Sequence, residues 1–117
     1  MHNYRKLQVW QRAMDFTARV YVETANFPKE EKFGLTSQLR RACASIPLNI
    51  ADGSGNSSDK EFRRFLEIAI RSGYETSTAI EIAERLGFWK PALVDILQKE
   101  LDEIIAMLFG LHKRFTT

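Results

Sequence analysis

Between Val94 and Phe115 the apolar residues Val94, Leu97, Leu101, Ile104, Leu108, Leu111 and Phe115 alternate spacings of three and four without a miss. A strand would need a period of two, so the run is helical. A sustained three-four alternation is the seam of helices packed as a left-handed bundle. Pro91 suits the first turn of that helix, and Gly87 suits the position just past the end of a preceding one. Such a seam has to be covered by other helices, and 117 residues supply them within a single domain.

Three further helices are legible upstream. The first covers residues 5–26, without Gly or Pro, and Phe27-Pro28 ends it. A turn over residues 29–33 and Gly34 lead to a second over residues 35–52. Its apolar row is Leu35, Leu39, Ala42, Cys43, Ile46 and Ile50, with Pro47 inside it as an expected kink. Gly53-Ser54-Gly55-Asn56-Ser57 reads as a loop. Ser58-Asp59-Lys60-Glu61 is a capping box that opens a third helix over residues 59–86, with Phe62, Phe65, Leu66, Ala69, Gly73, Thr76, Ile80, Ala83 and Leu86 on its apolar side. Short connections make neighbours antiparallel, so the expected fold is all-α, an antiparallel up-down-up-down four-helix bundle.

The first helix carries more apolar surface than an outer helix needs. Leu7, Trp10, Met14, Ala18, Tyr21 and Ala25 form one row, and Val9, Ala13, Phe16, Val20 and Phe27 a second. Together they span about 200° of the wheel, against the ~100° of an ordinary amphipathic helix. Either the helix is unusually central, or one row is covered by another subunit. A bundle of four short helices has no central member, so Val9, Ala13, Phe16, Val20 and Phe27 are expected at an oligomer interface.

Catalytic chemistry finds little support. A di-metal bundle site needs inward Glu and Glu-x-x-His pairs, whereas the two histidines are His2 and His112, and Phe109 precedes His112 by three. The single cysteine, Cys43, lies in an apolar row and reads as a small core residue. Gly53-x-Gly55 lacks the lysine and the preceding strand of a phosphate loop. Asn56-Ser57-Ser58 matches a glycosylation sequon of low specificity. Glu81/Glu84 and Asp102/Glu103 fall outside the apolar rows and read as solvated faces. No catalytic residue, metal or cofactor is expected. The longest apolar run, from Ile104 to Leu111, is too short to span a bilayer, and the N-terminus holds no apolar signal core. A cytoplasmic protein without membrane contact is expected.

Seventeen basic against fifteen acidic residues give a formal charge of +2, so any nucleic-acid site is a local patch. On the third helix Lys60, Arg64, Arg71 and Arg85 share about 60° of the wheel, as a phosphate-tracking stripe would. Arg63, Glu67, Arg71 and Glu75, continued by Glu81 and Arg85, read alternatively as an i,i+4 ion-pair ladder. On the second helix Arg40 and Arg41 are candidate phosphate ligands, Arg40 having no acidic neighbour one turn away. Beside its apolar row lie Gln38, Arg41, Ser45, Asn49 and Asp52. A polar row there has to be hydrogen-bonded, whether as a network with Ser72 and Glu75, at a subunit contact, or around a ligand.

Five stretches carry a resemblance: Leu7-Gln8-Val9-Trp10-Gln11 with Ala13; Tyr21 with Phe27-Pro28-x-x-Glu31; Phe33-Gly34-Leu35 with Gln38 and Arg40-Arg41-Ala42; Ser45-Ile46-x-x-Asn49-Ile50-Ala51-Asp52-Gly53; and Glu61-Phe62-x-x-Phe65-Leu66-x-x-Ala69 with Ser72 and Glu75. The chain resembles the small bacterial four-helix-bundle family named after the intervening sequences of large-subunit ribosomal RNA genes. Asp52 stands where that family usually has Glu, and Arg71 where Gly is common. The resemblance implies a bundle assembled as a homopentamer and no enzyme activity. It also implies kinship with accessory proteins of diversity-generating retroelements, ring-shaped partners of nucleic acid and of a reverse transcriptase. The expected function is a ring that binds RNA or single-stranded DNA through Arg40, Arg41, Lys60, Arg64 and Arg71. The alternatives are an adaptor that docks a partner protein, or a structural bundle with no ligand.

Overall fold

The computed structural model describes residues 2–56 and 58–115. A 3-10 turn at Tyr4–Lys6 leads into α1 (Gln8–Thr24), a second at Lys29–Glu31 into α2 (Leu35–Ser54), and α3 (Asp59–Arg85) and α4 (Pro91–Lys113) complete the bundle. Contacts at the two ends fix the topology. At one end the backbone N–H of His2 donates to the Ser54 carbonyl (2.9 Å), and the His2 ring packs against Phe62 and Phe115, with centroids 4.8 and 5.2 Å away. At the other, Phe27 packs against Phe88 and Trp89, 5.2 and 5.0 Å away. The starts of α1 and α3 therefore meet the ends of α2 and α4, as an up-down-up-down bundle requires. The long axis measures 44 Å.

The core is built from the rows the periodicity marks. Leu35, Leu39, Ala42, Cys43, Ile46 and Ile50 of α2 are buried, as are Val94, Leu97, Leu101, Ile104, Leu108 and Leu111 of α4. The Ser58 side chain accepts the Glu61 N–H at 3.0 Å, Gly87 adopts φ +77° after α3, and Pro91 occupies the first turn of α4. Pro47 deprives the Cys43 carbonyl of its helical donor, and the Thr17 hydroxyl lies 3.3 Å from that oxygen. Leu86, placed on the apolar row of α3 by spacing, is instead exposed beyond its end.

Helix α1 requires a correction. Val9, Ala13, Phe16, Val20 and Phe27, expected at a subunit interface, form this protomer's own core, whereas Met14, Ala18, Tyr21 and Ala25 are exposed. The excess of apolar surface is real, but it lies on the opposite row. The buried row is wholly apolar at Phe16, Val9 and Val20, whereas Tyr21 on the outward row keeps its hydroxyl in water.

The carbonyls that end α1 are answered by two tertiary partners and by the turn that follows, without a glycine cap. Arg40 donates to the Tyr21 carbonyl (3.1 Å), the buried Trp89 indole to that of Glu23 (2.9 Å), and the Ala25 and Phe27 N–H groups to those of Val22 and Thr24.

The segment read as a loop at residues 53–57 is also corrected: α2 continues through Gly53 and Ser54. Gly53 is there because α3 passes so close that a Cβ would stand 2.6 Å from Phe65 Cβ. Ser57, with the glycosylation sequon that includes it, lies outside the described residues. No helix among the described residues is long and apolar enough to cross a membrane.

Candidate nucleic-acid interface

The cations singled out in the sequence do not gather in one place. Arg40 is committed to the fold: Nε donates to Thr24 Oγ1 at 2.8 Å, Nη2 to the Tyr21 carbonyl, and the guanidinium lies 4.6 Å over the Tyr21 ring. The lack of an acidic neighbour in its own helix is explained by this cap on α1, where a positive charge meets the negative end of the helix dipole. About 20 Å of helix separates Arg40 from the end of α2, so it does not converge with Lys60 and Arg64 across the α2–α3 connection. Arg71 lies on the α4 side of α3, beside Phe109 and His112. Arg41 faces the α2–α3 groove.

The ladder reading of α3 is corrected too. Arg63 donates to the Phe115 carbonyl (3.3 Å) and Glu67 meets His112 Nε2 (2.8 Å). Among the described residues none of the i,i+4 pairs along Arg63, Glu67, Arg71 and Glu75, nor Glu81 with Arg85, closes to an ion pair. The close pair is Arg64 with Glu61 (3.2 Å), one turn earlier.

The bundle instead collects cations at one end. Arg5 and Lys6 precede α1, Lys60, Arg63 and Arg64 lie in the first turns of α3, and Lys113 and Arg114 close α4. All but Arg63 are exposed. Asp52, Asp59 and Glu61 oppose them there. Seven basic against three acidic side chains exceeds the chain's total of +2, so the remainder of the molecule is net acidic. Spacing along single helices missed Arg5, Lys6, Lys113 and Arg114, and assigned Arg63 to the ladder. The signal was present as the basic runs Arg5-Lys6 and Lys113-Arg114, which up-down topology brings to the same end.

A second feature is the groove between α2 and α3. The helices touch at Gly53 and part toward the start of α2, leaving a groove of about 470 Å³ lined by Phe33, Gly34, Ser37, Gln38, Arg41, Ala42, Ser45, Ser72 and Glu75. The expected polar network forms in part. Asn49 Nδ2 donates to Ser45 Oγ (2.9 Å), Ser45 and Ser72 hydroxyls are 2.8 Å apart, and Ser72 donates to the Ile68 carbonyl (3.0 Å). Gln38 and Glu75 line the groove above this chain. Asp52 stands apart, its carbonyl accepting from Asn56 Nδ2 at 3.0 Å. Phe33, which no periodicity flagged, is 89% exposed at the mouth.

The remaining candidates carry structural roles. Cys43 is buried, and burial pushes its thiol up to about 11. Arg12 binds Glu100 (2.7 Å) and Glu103 (2.9 Å) across α1 and α4, which holds the guanidinium more firmly protonated and takes Glu103 out of the purely solvated set. Glu84 titrates above the usual carboxylate range, through desolvation first and the neighbouring Glu81 second.

No curated protein matches the chain. A crystal structure of a protein of unknown function from the S23 ribosomal protein family of Bacteroides thetaiotaomicron superposes with a TM-score of 0.82 at 22% identity, over 90% of this chain and 95% of that one. That likeness is one of fold. The sequence relationship comes from the family model of the 23S rRNA-intervening sequence proteins, which matches residues 5–110 and so takes in α1 to α3, most of α4, the α2–α3 groove and most of the basic end. By that match the chain belongs to the 23S rRNA-intervening sequence protein family.

Proposed function

We propose that this is a non-enzymatic bundle protein that self-associates into a ring and binds nucleic acid, RNA first, through its basic end, with the cytoplasm as its place of action. The observation that carries the reading is the gathering of Arg5, Lys6, Lys60, Arg63, Arg64, Lys113 and Arg114 at one end of a molecule whose remainder is net acidic. Lys60 lies in the first turn of α3, at the positive end of its dipole and with no ion-pair partner among the described residues, a placement that a bound phosphate would relieve. Self-association is supported by the exposed α1 row of Met14, Ala18, Tyr21 and Ala25. A ring, of five copies as the resemblance implies, turns one modest patch into several linked ones and raises avidity without any new contact.

The test is a titration of single-stranded RNA at two salt concentrations against wild type and Lys60→Glu/Arg64→Glu/Lys113→Glu. Binding through phosphates loses affinity with salt at a log-log slope of about 0.7 per contact, and the triple reversal abolishes it. An affinity and a salt slope unaltered by the triple reversal would leave the basic end a solvated face. The adaptor reading, in which the ring docks a protein such as a reverse transcriptase, would then replace this one.

A further inference from the structure

The α2–α3 groove holds a combination that the fold does not use. Phe33 is 89% exposed, outside any helix, with Lys32 Nζ 5.4 Å from its ring centroid. Arg41 and Glu75 line the same groove, and neither is in an ion pair among the described residues. The start of α2 is already capped, since its Leu35 N–H donates to Glu31 Oε1 (3.0 Å), so a ligand here would be held by side chains. The floor is directional. Ser72 spends its proton on the Ile68 carbonyl, so it accepts from Ser45, which in turn accepts from Asn49. Both hydroxyl protons are therefore consumed, and with Glu75 the floor presents oxygen lone pairs, while Arg41 and Gln38 supply N–H donors.

We propose that this groove is a subsite for one nucleotide of single-stranded RNA whose base carries an exocyclic amino group. The proposal rests on the nucleic-acid reading above and deepens it. The base stacks on Phe33, the platform single-strand binders use. Its amino group donates to the Glu75 carboxylate, the pairing by which acidic side chains recognise cytosine N4. The flanking phosphate falls to Arg41, and the volume of about 470 Å³ is that of a small-molecule site. Glu75 repels a phosphate or a base carbonyl in its place, which orients the nucleotide and disfavours uracil, whose position 4 is an oxygen.

The probes are oligocytidine and oligouridine of equal length and charge, which differ on their pairing edge: an amino group and an N3 acceptor in cytosine, a carbonyl and an N3–H in uracil. Wild type binds the cytidine oligomer about tenfold more tightly. Glu75→Gln removes most of that preference. Phe33→Ala weakens both oligomers about tenfold and leaves the salt slope unchanged. Both positions are exposed, so neither change threatens the fold. Equal binding of the two oligomers by wild type, or a preference that survives both changes, overturns the subsite. If the oligomers bind equally yet charge reversal at the basic end abolishes binding, the subsite alone fails. If neither oligomer binds, both readings fall.

Discussion

The guanidinium of Arg40 closes the end of α1 by donating to the Tyr21 carbonyl at 3.1 Å while lying over the Tyr21 ring. One side chain from α2 thus adds a charged cap to the local turn bonds that end α1. Arg40→Ala is expected to lower stability by about 1–2 kcal/mol, from the lost charged hydrogen bonds and dipole contact. RNA affinity should stay unchanged. Urea denaturation and an RNA titration of the same variant check both halves. A loss of affinity without a loss of stability would return Arg40 to the binding surface.

Leu101 sits at the middle of the α4 seam and is fully buried. Leu101→Ala deletes a central knob and should cost about 2–5 kcal/mol. A cost below about 1 kcal/mol in chemical denaturation would mean that the seam is not the packing surface.

Gly53 marks the closest approach of α2 and α3. Gly53→Ala would place its Cβ 2.6 Å from Phe65 Cβ and 2.9 Å from Phe62 Cδ1. Neither contact is with the end of a flexible chain, so the helices must move apart. The intrinsic gain of about 0.5–1 kcal/mol from replacing a helical glycine should be outweighed, leaving a net loss of about 1–3 kcal/mol. Thermal melts of the two proteins side by side test the sign.

What was legible in the sequence was set by how local its causes are. The α4 seam, the α2 row, the Ser58 cap and the Gly87 stop depend on residues within two turns of each other, and all four stand. The choice between the two rows of α1 does not. Met14 and Tyr21 are as apolar by period as Phe16 and Val20, and only packing against three other helices decides which row is buried. The role of Arg40 was invisible for the same reason, since its partners Tyr21 and Thr24 lie on another helix. The basic end required adding Arg5-Lys6 to Lys113-Arg114 across the whole chain, a step that topology licenses and single-helix spacing does not.

Cys43 gives the fold a pH dependence at the alkaline side. Burial raises its thiol from about 9.0 to about 11. Between those values the unfolded chain has released this proton and the native chain retains it, so stability is whole below pH 9 and declines as pH rises toward 11. The loss from this group is on the order of 2 kcal/mol. Cys43→Ala lacks the group, so the stability gap between wild type and variant should shrink across that window. A gap independent of pH would show that the thiolate is tolerated where it lies.

The corrected rows of α1 separate folding from assembly. Phe16 is buried among this protomer's own helices, so Phe16→Asp buries an unpaired charge and should unfold the monomer. Met14, 42% exposed, and Tyr21, 45% exposed, lie on the outward row beside α2, where Leu48 is 61% exposed. Leaving such side chains in water forgoes part of the ~1.5–3 kcal/mol each would gain from full burial. Met14→Asp should therefore keep the helical circular dichroism of wild type and lose the oligomer in light scattering, whereas Phe16→Asp should lose both. An oligomer that survives Met14→Asp and Leu48→Asp together would move the contact off this flank, and a wild type that is monomeric at micromolar concentration would remove the ring altogether.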